Sequence, residues 1–194
     1  MSLNMKPLLI VFSGLPGVGK TTLAKKLAEY YKAAYFRIDT IEQGLRDLCK
    51  VNVQGEGYRL TYRIAKDNLA IGNAVVIDCC NPWNLTRDEW EQVSIQSNAL
   101  LIDIEIVCKD KVEHKLRVIK RHNDIENLIL PSWEEIEKRK YEEWTKAVIR
   151  IDTSNYSIEQ SFRQITDEIK KEKYLTTAPA PKISDRCKIS SSRK

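Results

Sequence analysis

The sequence predicts an α/β domain, a doubly wound parallel sheet of five strands with helices on both faces. Three observations predict it. Short apolar runs recur at Leu8 to Phe12, Ala34 to Ile38, Ala74 to Asp78, Leu100 to Cys108 and Ala147 to Ile151, as strands of a covered sheet require. Stretches with apolar residues at helical spacing separate these runs, so successive strands run parallel through helical crossovers. Asp39, Asp78 and Asp152 each follow a run, which gathers carboxylates at the carboxyl ends of the strands, the ligand-binding rim of such sheets.

The first strand, Leu8 to Phe12, leads into Gly14-Leu15-Pro16-Gly17-Val18-Gly19-Lys20-Thr21, with Thr22 next. This fits G-x-x-x-x-G-K-[ST], the phosphate-binding loop. Its glycines let backbone N–H groups turn inward around an anion, and the helix that follows carries roughly +0.5 of a charge at its N-terminus. Lys20 is placed for the terminal phosphates of ATP, and the Thr21 hydroxyl for Mg2+. Leu23, Leu27, Tyr30 and Tyr31 give that helix its apolar stripe.

Ala34 to Ile38 is the second strand, followed by a helix from Ile41 to Cys49. Gly55-Glu56-Gly57 breaks the chain before a helix over Tyr58 to Ile71, whose stripe is Tyr58, Tyr62, Ala65 and Leu69. After the third strand, Asn81-Pro82 makes a turn and Thr86 is placed to cap a helix reaching Ser97. The fourth strand ends near Asp110, which caps a helix to Arg121. The polar segment from His122 to Pro131 stands where a lid belongs, giving a lid over about 117–131. Ser132-Trp133-Glu134-Glu135 is a capping box, predicting a helix to Lys146. The fifth strand and a helix over Ser157 to Tyr174 complete a domain spanning 1–175.

A chain of 194 residues buries an adequate core without disulfides or metal. Five cysteines, an odd number with no C-x-x-C, predict a reducing, cytoplasmic setting. The apolar runs are too short to span a membrane, and no signal peptide is recognisable. Of the net charge of +5, about four units lie beyond Thr176, in a Pro-, Ser- and Lys-rich tail (176–194) expected to be flexible. The remaining body is nearly neutral, which disfavours a nucleic-acid partner and favours a small-molecule acceptor. His114 and His122 lack a metal-ligand pattern and read as surface or partly packed residues. No N-K-x-D guanine-reading motif occurs, and Cys79 rather than a water-activating glutamate follows Asp78, so phosphoryl transfer is expected over dedicated hydrolysis.

These motifs, GLPGVGKTT, RIDTIEQGL, VVIDCCNPWNLTRDEW, HKLRVIKR, PSWEEIEKRKYEEW and RIDTS, resemble small P-loop kinases of the nucleoside-monophosphate-kinase-like fold. The likeness is to the AAA-type group around polynucleotide kinase, chloramphenicol phosphotransferase and the zeta-toxin kinases, and it covers Lys6 to Tyr174. It implies that Asp39 takes the acceptor hydroxyl's proton; the alternative is a helix cap. Asp78 matches the third-strand acid that holds Mg2+ or orients substrate, or else caps a strand end. Asn81 and Arg87 match acceptor contacts, with Arg37 beside Asp39. Arg117 and Arg121, one helical turn apart, would clamp the transferring phosphoryl group, although Glu113 also stands to pair with Arg117. Asp152 and Thr153 match the loop beside adenine. A basic stripe of Arg59, Arg63 and Lys66 faces solvent or an anionic acceptor. Two rivals remain open: a polynucleotide 5′-hydroxyl kinase, and a non-catalytic ATP-binding regulatory or toxin-like module.

Overall fold

The computed structural model describes residues 6–177; the tail expected over 176–194 lies outside them from 178 on. Strands β1 (Leu8–Ser13), β2 (Ala34–Arg37), β3 (Val75–Asp78), β4 (Leu100–Val107) and β5 (Ile149–Asp152) form one parallel sheet in the order β2-β3-β1-β4-β5. Placing β1 centrally explains its composition, since all six of its residues are buried.

Two apolar layers cover the sheet. On one face, Ile10, Phe12, Ile104 and Ile106 pack against Leu23 and Leu27 of α1 (Lys20–Tyr31) and against Ile165 and Ile169 of the C-terminal helix. On the other, Leu9, Val11 and Ile77 meet Tyr62, Ala65 and Leu69, with Trp90 and Val93 beside them. Even and odd positions of β1 therefore serve opposite layers, as the period of two dictates.

Four more helices follow α1 in the order α2 (Ile38–Cys49), α3 (Glu56–Ala70), α4 (Asn84–Gln96) and α5 (Lys111–Lys120). They are followed by α6 (Trp133–Glu137) and α7 (Ile158–Thr177). Asp110 caps α5, its carboxylate accepting from the N–H groups of Val112 and Glu113 at 2.9 and 3.0 Å. Ser132 and Glu135 form the expected capping box.

Two expectations are corrected. Helix α4 begins at Asn84, and Thr86 lies inside it, its hydroxyl on the Asn81 side chain at 2.7 Å. The helix expected to reach Lys146 stops at Glu137, because 138–148 is held by stronger tertiary contacts. The N–H of Glu142 donates to the Pro82 carbonyl at 2.8 Å, and the rings of Tyr141 and Trp144 lie 5.2 and 4.2 Å from the Arg87 guanidinium. Local helix propensity, a few tenths of a kcal/mol per residue, loses to such contacts.

Candidate active site

The loop from Gly14 to Gly19 wraps the N-terminus of α1 at the carboxyl edge of the sheet. Gly14 (φ 131°), Gly17 (φ 86°) and Gly19 (φ 101°) all take backbone angles that side chains disfavour. A Cβ on Gly14 would also run into the carbonyl oxygen of Ile106, and one on Gly17 would lie 2.5 Å from Val118 Cγ2. Gly14→Ala is therefore expected to cost at least about 3 kcal/mol from strain and overpacking together. Thermal melts should show Tm falling by roughly 6–12 °C.

Beside the loop lies a cavity of about 1070 Å³. Lys20, Thr21 and Thr22 form one wall; Asp39, Glu42, Gln43 and Arg46 of α2 another; Asp78, Cys79 and Cys80 the floor; and Arg117, Arg121 and 127–131 the cover. Lys20, although largely buried, donates to the Leu15 carbonyl at 2.9 Å and so is held across the loop.

Arg37 organises the floor. Its Nη1 donates to Asp124 at 2.7 Å, and its Nε lies 3.8 Å from Asp78 and 4.0 Å from Asp39. Lys25 on α1 reaches the same Asp124 at 3.2 Å, tying the 121–132 segment to both sides of the cavity. These hydrogen bonds hold the Asp124 carboxyl below its usual pKa. Asp78, 2 % exposed, accepts from the Tyr35 hydroxyl at 2.8 Å. Burial and that neighbouring carboxylate push the Tyr35 phenol far above its ordinary range. Asp39 sits in the first turn of α2, more than half exposed toward the cavity.

His114 was expected to be a surface or partly packed residue, and it proves buried. Its Nε2 donates to the carbonyl of Pro16 in the phosphate loop at 2.8 Å, while Trp133 meets its ring edge-on at 5.1 Å. Burial lowers its pKa, against the opposing pull of this bond. The sequence signal was its spacing four residues before Val118, on the buried face of α5.

The remaining expected site residues are held by partners within the chain, some of them away from the cavity. Asn81 (0 % exposed) donates to the Ser13 hydroxyl, and Arg87 (3 % exposed) donates to the carbonyls of Asn81, Glu142 and Glu143. Neither lines the cavity: Asn81 ties the turn after β3 to β1 and Thr86, and Arg87 fastens 142–143 onto α4. Asp152 accepts from Lys109 and Ser154, and the Thr153 hydroxyl donates to the Val18 carbonyl at 2.9 Å, bracing the loop from behind. Arg117 reaches the cavity edge, but its guanidinium donates to Thr153 and pairs with Glu113. Arg121 donates to the Pro131 carbonyl at 2.6 Å. The stripe of Arg59, Arg63 and Lys66 lines a separate groove with Tyr62 and Gln96.

Among the described residues, no cluster of three or more His, Cys, Asp or Glu side chains stands ready to hold a metal, and no helix is long and apolar enough to cross a membrane. No curated protein sequence matches the chain. Solved structures do. A gluconokinase of Sinorhizobium meliloti superposes with a TM-score of 0.63 at 15 % identity, over 90 % of this chain and 100 % of that one. An APS kinase of Mycobacterium tuberculosis, determined with AMPPNP and APS, gives 0.59 at 15 % identity over 86 % and 99 %. Kti12 of Chaetomium thermophilum, determined with ADP-AlF3, gives 0.63 at 20 % identity over 84 % and 97 %. A family model described as an AAA domain matches residues 9–140, and with its phosphate loop, parallel sheet and kinase-like neighbours the chain belongs to that family.

Proposed function

We propose that the protein is an ATP- and Mg2+-dependent kinase that moves the γ-phosphoryl group of ATP to a hydroxyl of a small molecule. One observation carries this reading: Lys20 and Thr21 of the phosphate loop face Asp39 across a single cavity covered by the 121–131 segment. The kinase-like neighbours support it. The near-neutral body, and the position of the basic stripe away from the cavity, favour a small acceptor over a polynucleotide end.

The polyphosphate binds the loop N–H groups, with Lys20 turning from the Leu15 carbonyl to the terminal phosphates. The acceptor hydroxyl sits against Asp39, which takes its proton as the oxygen bonds to the γ-phosphorus and the bond to the ADP oxygen breaks. Arg121, with Arg117 at the edge, faces the charge that spreads over the transferring group. The 121–131 segment excludes water, so the phosphoryl group reaches the acceptor and is not hydrolysed. Thr21 and Asp78 fit Mg2+, which takes few protein oxygens and completes its shell with phosphates and water. Held by Thr21 and Asp78, such an ion would supply charge neutralisation at the phosphates. The free, unbridged cysteines among the described residues fit a reducing cytoplasm.

Lys20→Ala tests the nucleotide half of this reading. ADP release with Mg-ATP is expected to fall by roughly a hundred- to a thousand-fold, with folding intact by circular dichroism. Unchanged ADP release would remove the loop from the reaction.

A further inference from the structure

Asp39, the base of the kinase reading on which this inference rests, makes no hydrogen bond among the described residues, although a guanidinium stands beside it. Strand β2 ends at Arg37 and α2 begins at Ile38 with no loop between, so buried Ile38 fixes Arg37 and Asp39 on either side of itself. Arg37 Nε lies 4.0 Å from Asp39 and 3.8 Å from Asp78, within ion-pair range but too far for a hydrogen bond, and it is buried without a hydrogen-bond partner. A buried N–H on a cation costs free energy until it meets an acceptor. Asp78 is a poor candidate, being buried and already accepting from the Tyr35 hydroxyl at 2.8 Å. Asp39, more than half exposed, has room to turn.

What holds Arg37 back belongs to the covering segment. Arg37 Nη1 donates to Asp124 Oδ1 at 2.7 Å, and Lys25 Nζ donates to Asp124 Oδ2 at 3.2 Å. One carboxylate is thus anchored through both oxygens, to the end of β2 and to α1. Glu126, the other acid of the segment, does not line the cavity. Arg121, a second guanidinium on the cavity, is likewise given to an acceptor of the segment, the Pro131 carbonyl. Asp124 and Lys25 are both about half exposed, and pairs of that kind are weak and screened by salt, so the segment is free to open.

We propose that Asp124 is a positioning residue that couples closure of the 121–131 segment to the readiness of Asp39. With the segment closed, Asp124 holds Arg37 and leaves Asp39 free to take the acceptor's proton. With it open, Arg37 turns its Nε–H onto Asp39 and occupies the base. Bound ATP exposed to water is then protected twice, by the cover when it is shut and by a silenced base when it is not.

The test follows the Arg37 Nε–H signal of the nucleotide-free full chain by NMR, the signal being identified by its loss in Arg37→Lys. Asp124→Asn is expected to move it downfield, as the N–H gains a carboxylate; Asp124→Glu should return it toward the wild type, and Glu126→Gln, the same change of charge in the same segment, should leave it in place. The double variant Asp124→Asn/Asp39→Asn should lose the downfield shift. A signal indifferent to Asp124→Asn, one moved equally by Glu126→Gln, or a shift that persists in the double variant would overturn the proposal. Slow ADP release from Mg-ATP, with water as the acceptor, gives the second arm. It is expected to fall roughly ten- to a hundred-fold in Asp124→Asn, with KM for ATP changed less than about twofold, and to recover in part in Asp124→Glu. A rise in Asp124→Asn would show the segment to be a water shield alone and overturn the coupling. Failure of Mg-AMPPNP to bind would instead strike at the kinase reading, while the Arg37 signal, read without nucleotide, decides the position of the guanidinium separately.

Discussion

Asp39→Asn is expected to bind Mg-ATP as the wild type does and to lose kcat by roughly a hundred- to ten-thousand-fold, the usual contribution of a positioned general base. The substitution keeps the shape of the side chain but removes its capacity to accept a proton. Its structural cost is small, because an acid in the first turn of a helix is worth only about 0.3–1 kcal/mol through the helix dipole. Asp39 is more than half exposed and its neighbour Arg37 keeps two other carboxylate partners, so the fold survives. The check is steady-state kinetics beside a nucleotide-binding isotherm. Retained kcat would leave Asp39 as a helix-end acid and nothing more.

The second large effect concerns stability rather than turnover. Asp103 lies mid-strand in β4, facing a second cavity of about 660 Å³ with Arg87, Trp144 and Lys146, and its Oδ1 is buried without a hydrogen-bond partner. Its strand-mate Glu105 is answered by Arg150; Asp103 has no such pair. Burial pushes its pKa up to about 7, against the weaker opposing pull of Lys146 and Arg87. A carboxyl whose folded pKa is raised keeps its proton in the folded state while the unfolded chain has lost it, so stability falls as pH rises between the two values. Asp103→Asn removes that dependence. Urea melts should show the wild type losing up to about 1.4 kcal/mol per pH unit relative to the variant between about pH 4 and 7, and no further difference in slope above. Parallel stability curves for the two proteins would show that Asp103 ionises freely in the folded state.

Most of the fold was legible because its signals are local. A covered parallel strand must be apolar, a phosphate loop must carry glycines where the backbone turns back on itself, and Asp110 and Ser132 sit where helix ends need acceptors. The loop's place beside the cavity came with it. What escaped were residues whose surroundings are assembled from distant segments. Nothing near Arg87 in sequence announces the rings of Tyr141 and Trp144, which together turn an expected acceptor contact into a buried clasp. The same clasp ends α6 early and swings Arg139 into the cavity, where a helix to Lys146 would have kept it on a regular helical face. His114 likewise gains its partner, the Pro16 carbonyl, from the phosphate loop nearly a hundred residues earlier.

The central claim is that ATP's terminal phosphoryl group leaves this cavity on an organic hydroxyl. The direct measurement incubates the protein with Mg-ATP and a panel of hydroxylated metabolites, aminoglycosides, nucleosides and 5′-hydroxyl oligonucleotides, and follows ADP together with product masses. The predicted result is one class of acceptor that gains a single phosphoryl group, in step with ADP, and loses it in Lys20→Ala and Asp39→Asn. ATP bound tightly while every panel member stays unmodified, and a conformational change as the sole response, would contradict it and leave a nucleotide-controlled switch in its place.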